Sequence, residues 1–129
     1  MKDRKDILVS VSKALPAAAA TAVTEAIQVG SPEAFGDFDL EFGHAAVPAL
    51  VEDKTITLTV EDSADGEAFA PIAELAPLIT TGEVGNGAEA ATRIVTLPPS
   101  ARNYVRVSAA VEALGGDNTA VDFKLEGRF

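Results

Sequence analysis

The sequence predicts an all-β chain, an antiparallel β-sandwich of about eight short strands. Three observations carry this. Thr55 to Val60 alternates strictly, with Ile56, Leu58 and Val60 on one face and three threonines on the other, as a strand with one dry and one wet face requires. Phe38, Leu40 and Phe42 alternate with Asp37, Asp39 and Glu41, and Val121, Phe123 and Leu125 alternate with Asp122, Lys124 and Glu126. Turn signals such as Asp65-Gly66 and Gly115-Gly116-Asp117-Asn118 separate these runs at short intervals.

Taken in order, residues 7–15 form either a short strand or an extended arm, and Pro16 stops any helix that Lys13-Ala14-Leu15 begins. The alanine run 17–20 favours helix by propensity, but Thr21, Val23, Thr24, Ile27 and Val29 are β-branched, so 22–29 reads as a strand ended by Gly30-Ser31-Pro32. Strands follow at 38–42 and 55–61. A hairpin at Asp65-Gly66 leads to a return strand over 68–75. Residues 76–91 read as a long loop or a poorly formed strand around Leu78-Ile79-Thr80. Strands at 93–97, 103–111 and 119–127 complete the set. The expected inward residues are Ile56, Leu58, Val60, Val105, Val107, Val121, Phe123 and Leu125. The domain division expected is an N-terminal arm over 1–22 and a sandwich over 23–129.

At 129 residues the chain has the length of one domain and buries roughly two-thirds of its unfolded surface. Hydrophobic residues make up 47%, yet there is no tryptophan and one tyrosine, so small side chains must fill a thin core that gains from oligomerisation. A net charge of −10 disfavours phosphate-dense partners, which argues against nucleic acid. Cysteine is absent, which removes disulfides and thiolate metal sites. The opening Met1-Lys2-Asp3-Arg4-Lys5-Asp6 resembles the charged start of a signal peptide, but two aspartates, Lys13 and Pro16 spoil the pattern. No run approaches the roughly 18 apolar residues that span a bilayer, so no membrane role is expected.

Residues that perform chemistry do not gather in the sequence. His44 is the single histidine, with no nucleophile-elbow motif to support a relay and no second nitrogen ligand for zinc. Glu61, Asp62, Asp65 and Glu67 cluster on a turn as a hard cation prefers, but Ala64 and Gly66 occupy positions where a calcium loop needs oxygen. Glu61, Asp62 and Glu74 offer carboxylates for glycoside hydrolysis without the aromatic platform a sugar cleft carries. Gly82, Gly85 and Gly87 lack the ending of a phosphate loop and read as loop glycines. No cofactor, no metal and no enzymatic activity are expected. Two segments are candidates for partner binding. Arg102, Tyr104 and Arg106 share one strand face, as a contact stripe or as solvated residues. Lys2, Arg4 and Lys5, with Ile7, Leu8, Val9 and Val11, form a basic and apolar N-terminal segment suited to docking as an arm on a partner.

The threonine-laced strand with the hairpin Glu61-Asp62-Ser63-Ala64-Asp65-Gly66 and Phe69, then Arg93-Ile94-Val95-Thr96-Leu97-Pro98-Pro99, Arg102-Asn103-Tyr104-Val105-Arg106-Val107 and Gly115-Gly116-Asp117-Asn118, resemble the capsid decoration, or cement, proteins of tailed bacteriophages. The resemblance covers residues 38–129. It implies a jelly-roll-like sandwich, no catalytic site, and many copies, as homotrimers, bound to the major capsid protein on the outer surface of the virion after synthesis in the host cytoplasm. The alternative expectation is a secreted or cell-surface β-sandwich binding module, and a small hydrolase or isomerase is a third.

Overall fold

The computed structural model describes residues 8–29, 39–98 and 101–128. Among the described residues, ten strands form two antiparallel sheets. The first sheet has the order β1 (Leu8–Ala14), β10 (Asp122–Arg128), β4 (Asp39–His44) and β8 (Ala91–Thr96). In the second, β9 (Tyr104–Val111) pairs on one side with β2 (Thr21–Val23) and β3 (Ile27–Gln28), and on the other with β5 (Thr55–Ser63). The far side of β5 carries β6 (Ala70–Pro71) and β7 (Leu78–Thr81). Counting β2 with β3 and β6 with β7 as interrupted strands, eight strands are divided four and four between the two sheets in the order of a jelly roll.

The period-two pattern sets what lies between the layers. Leu40, Phe42, Phe123 and Leu125 of the first sheet and Ile56, Leu58, Val60, Val105, Val107 and Ala109 of the second are all buried. Phe42 and Phe123 are the aromatic centre, and the remaining volume is aliphatic. Val121, expected inward, is half-buried just before β10 begins. Leu15, Val47, Leu50, Ile72 and Leu97, outside the regular strands, close the ends of the core.

The two interruptions have local causes. Within the expected strand 22–29, Thr24 Oγ1 accepts the Val107 N–H at 3.1 Å while the Thr24 N–H donates to Val107 O at 3.0 Å. A side-chain oxygen thus stands in for a main-chain carbonyl, and the ladder resumes only at Ile27. Within the expected strand 68–75, Pro71 has no N–H and sits in a two-residue β6, and Pro77 precedes β7. Of the two readings of 76–91, a long loop or a poorly formed strand around Leu78-Ile79-Thr80, the strand holds: Leu78–Thr81 pairs residue for residue with Thr55–Leu58.

The arm expected over 1–22 is corrected for its described part. Leu8–Ala14 pairs along the whole of β10, from Leu8 opposite Arg128 to Ala14 opposite Asp122. Val9 and Val11 share the face of Leu125 and pack against the core, and Leu15 is 1% exposed. Two β-branched residues in register with a buried face are worth more in the sheet than in water, so the segment joins the sandwich. Lys2, Arg4, Lys5 and Ile7 lie outside the described residues.

Candidate interaction surface

The strands run between two ends of the sandwich, and each end gathers a different set of side chains. At the end where β1 starts and β10 finishes lie the 62–70 turn and the start of β9. Asp62 falls on the inward parity of β5 and is 8% exposed. Arg102 wraps it. Its N–H donates to Oδ2 at 3.0 Å, Nε and Nη2 donate to Oδ1 at 3.2 and 2.9 Å, and Nη2 also reaches the Asp62 carbonyl at 3.0 Å. On the outer face Arg106 stands opposite Glu61 in register, donates to its Oε1 at 2.8 Å, and lies over the Phe69 ring at 3.9 Å from the centroid.

The acidic hairpin is turned onto itself. Asp65 Oδ1 accepts the N–H groups of Glu67 and Ala68 and the Ser63 hydroxyl, and Ser63 Oγ accepts the Asp65 and Gly66 N–H groups. The Glu67 and Ala68 amides, with the Ser63 hydroxyl, hold the Asp65 carboxyl down at about 2. Gly66 takes φ +82°, and the Tyr104 ring lies 3.6 Å from where a Cβ would stand. Of the expected contact stripe, Tyr104 and Arg106 share the outer face of β9 and Arg102 precedes the strand, and all three brace this turn.

His44, at the opposite end, is 3% exposed. Its Nδ1–H donates to Ala45 O at 2.7 Å, and Nε2 shares a hydrogen bond with the Thr80 hydroxyl at 2.8 Å. Arg93 Nη1 donates to the carbonyls of Ala76 and Pro77 at 2.9 and 3.1 Å. These two side chains sew the first sheet to the β6–β7 side of the second. On the outer face of the first sheet, Ser12, Lys124 and Thr92 stand in register around Gly43 and rim a shallow depression of about 440 Å³. Among the described residues no group of three His, Asp or Glu side chains is placed to hold a metal ion.

Three loops beyond β4, β7 and β9 lock together at the His44 end. The 82–87 turn is closed by Glu83 N–H to Gly87 O at 2.8 Å and Asn86 N–H to Glu83 O at 2.9 Å. It is tied to the 47–54 loop by Gly85 N–H to Glu52 Oε1, Glu52 N–H to Asn86 Oδ1 and Gly87 N–H to Leu50 O. The 112–116 turn joins the same loop through Val51 N–H to Gly115 O at 3.1 Å. Gly116, at φ +90°, packs so closely that a Cβ would meet Ala49 O at 2.4 Å. The resulting platform presents two apolar side chains outward, Val84 at 90% exposure and Leu114 at 78%. Leu114 holds φ +68°, a left-handed conformation that a branched side chain rarely takes.

Neither residue stands out in the sequence. The signal was a single apolar residue set among turn glycines, in Gly82-Glu83-Val84-Gly85 and Ala113-Leu114-Gly115-Gly116.

No protein-family model matches the chain, and no curated protein matches it. Among solved structures, one from work titled "Bacillus endospore appendages form a novel family of disulfide-linked pili" overlaps 95% of this chain and 86% of its own, at 13% identity and a TM-score of 0.53. A second, described as a family 16 carbohydrate-binding module, overlaps 84% of this chain and 68% of its own at 10% identity, with a TM-score of 0.34 too loose to argue from. What the chain shares with the appendage protein is the fold of a β-sandwich.

Proposed function

We propose that the chain is a non-catalytic structural subunit, a decoration protein that binds the outer surface of a tailed-bacteriophage capsid as a homotrimer and stabilises it. The observation that carries this reading is where the reactive side chains are committed. His44 bridges the sheets through both ring nitrogens, Asp62 and Glu61 are held by Arg102 and Arg106, and Asp65 caps its own turn. The groups that an enzyme would turn toward a substrate here secure the frame. The sequence resemblance over residues 38–129 supplies the capsid. The structural neighbour comes from work on disulfide-linked pili, and this chain, which has no cysteine, would assemble without disulfides.

Mass spectrometry of purified particles of the phage encoding the chain tests the proposal. The protein is expected in stoichiometric proportion to the major capsid protein, and capsids assembled without it should recover it from solution. Particles free of it, with the protein in the culture supernatant or on the cell envelope, would establish the secreted binding module instead.

A further inference from the structure

We propose that the protein docks on its partner through the end of the sandwich that carries Val84 and Leu114, and that the protein surface it meets there is an apolar patch ringed by basic side chains. The inference rests on the reading of the chain as a capsid-binding subunit, and deepens it by assigning the face and the chemistry of the contact.

Four of the crossovers between the sheets gather at this end. Ala14 stands opposite Asp122 and His44 opposite Ala91 in the first sheet, and Thr21 opposite Ala110, Ile56 opposite Val111 and Thr55 opposite Thr81 in the second. The loops 15–20, 45–54, 82–90 and 112–121 therefore leave the strands on the same side. What they turn outward is apolar. Val84 is 90% exposed and Leu114 78%, and Ala46, Ala49, Ala113 and Ala120 on the same loops are exposed as well. Leu114 holds φ +68°, where the backbone suits glycine, and with most of its side chain in solvent it adds little to the core. The loops are already tied together by Gly85 N–H to Glu52 Oε1 and Val51 N–H to Gly115 O, and alanine has no rotamers to lose, so docking here costs little ordering.

Charge selects the partner. The same loops hold Glu52, Asp53, Glu83, Glu89, Glu112 and Asp117 against one base, Lys54, which lies 3.9 Å from Glu112. Among the described residues, the carboxylates of Asp53, Glu83 and Glu89 hold no hydrogen bond or ion pair. An uncharged surface laid over them strips their water and returns nothing, whereas lysine or arginine side chains around an apolar patch satisfy them. Nucleic acid and anionic lipid headgroups are repelled. A second copy presenting the same end is repelled too, which disfavours a twofold contact of like surfaces.

Co-sedimentation of the full chain with capsids of the phage encoding it, assembled without it, tests this with three double variants. Val84→Ser with Leu114→Gly removes the apolar contact, and Glu83→Lys with Glu89→Lys reverses the charge. Glu25→Lys with Glu67→Lys makes the same charge change on exposed residues away from this end, as the control. Each of the first two should weaken binding by about tenfold or more, as central interface residues do, while the control stays within about threefold of wild type. Binding of wild type should weaken as salt rises. Melting temperatures, and the oligomer that wild type forms alone in sedimentation velocity, should be the same in all four proteins. If wild type binds and either of the first two variants binds like the control, the proposal is overturned and the capsid reading stands. If wild type does not bind, the capsid reading fails and the proposal with it. Loss of the protein's own oligomer in the Val84→Ser, Leu114→Gly variant would place a second copy on this face, and a lowered melting temperature would mean that the chain itself covers it; either result overturns the proposal.

Discussion

Replacing Arg102 by alanine should lower stability by about 2 kcal/mol, a value set by the unequal burial of the pair it breaks. The Asp62 side chain is 11% exposed and that of Arg102 is 44% exposed. Removing a partner from a fully buried pair costs about 3–5 kcal/mol, and from an exposed pair about 0.2–1 kcal/mol. Asp62 keeps one donor, the main-chain N–H of residue 102, but loses Nε and Nη2 from Oδ1. Its charge then faces the end of a hydrophobic layer that begins at Val60. With an unfolding entropy of about 2.1 cal/mol/K per residue, 2 kcal/mol corresponds to a fall in Tm of about 7 °C for this chain. Calorimetry reads this directly, and a double-mutant cycle with Asp62→Ala separates the pair from the arginine's own packing. Lys124→Ala, which breaks a longer bond of 3.4 Å to Glu126 on the outer face, is the control and should shift Tm by about 1–2 °C. If Arg102→Ala melts within 2 °C of wild type, Arg102 is not a brace.

Leu58→Asp should abolish folding while Thr57→Asp changes Tm little, since Leu58 is buried and Thr57 faces out; equal melts would refute the register. Asp65, held down to about 2, gives stability that is complete above its unfolded value near 3.8 and is lost as pH falls through about 2. Tyr104, the single tyrosine in a chain without tryptophan, lies against Gly66, so its fluorescence should change between pH 4 and 2 as the turn opens; Asp65→Asn should remove that transition. Gly43→Ala should unfold the β4–β8 edge, because its Cβ would stand 2.1 Å from Ala91 O, whereas Gly85→Ala meets nothing within 4 Å and should cost only about 1 kcal/mol for its positive φ, as paired denaturation curves can show.

The inward faces of β4, β5, β9 and β10 were legible because strand burial has a period of two and the chain keeps it without error from Ile56 to Val60 and from Phe123 to Leu125. The interruptions were not. That Thr24 bonds through its hydroxyl to Val107, 83 positions away, is a tertiary fact with no local mark. The roles of Arg102 and Arg106 were hidden for the same reason: a charge on a strand reads identically whether its partner is solvent, another protein or Asp62. The attachment of Leu8–Ala14 was half-visible, since Val9 and Val11 alternate with serines, but only the register against β10 decides between arm and strand. Val84 and Leu114 were obscured by their glycines, which mark a turn without saying that it is rigid.

The pairing of β1 with β10 joins the beginning of the described chain to its end, with β10 itself lying between β1 and β4. On the ribosome this means that the first sheet has no centre until the last strand has emerged. β4 and β8 can pair early, but Val9, Val11, Leu40 and Phe42 wait without their main contact, and the open edges of β1 and β4 are templates for strands of neighbouring chains. Contacts this distant in sequence slow the search for the native state to milliseconds or longer. The risk of aggregation is therefore greatest until β10 is in place, and truncation before residue 122 should yield insoluble protein, not a smaller domain.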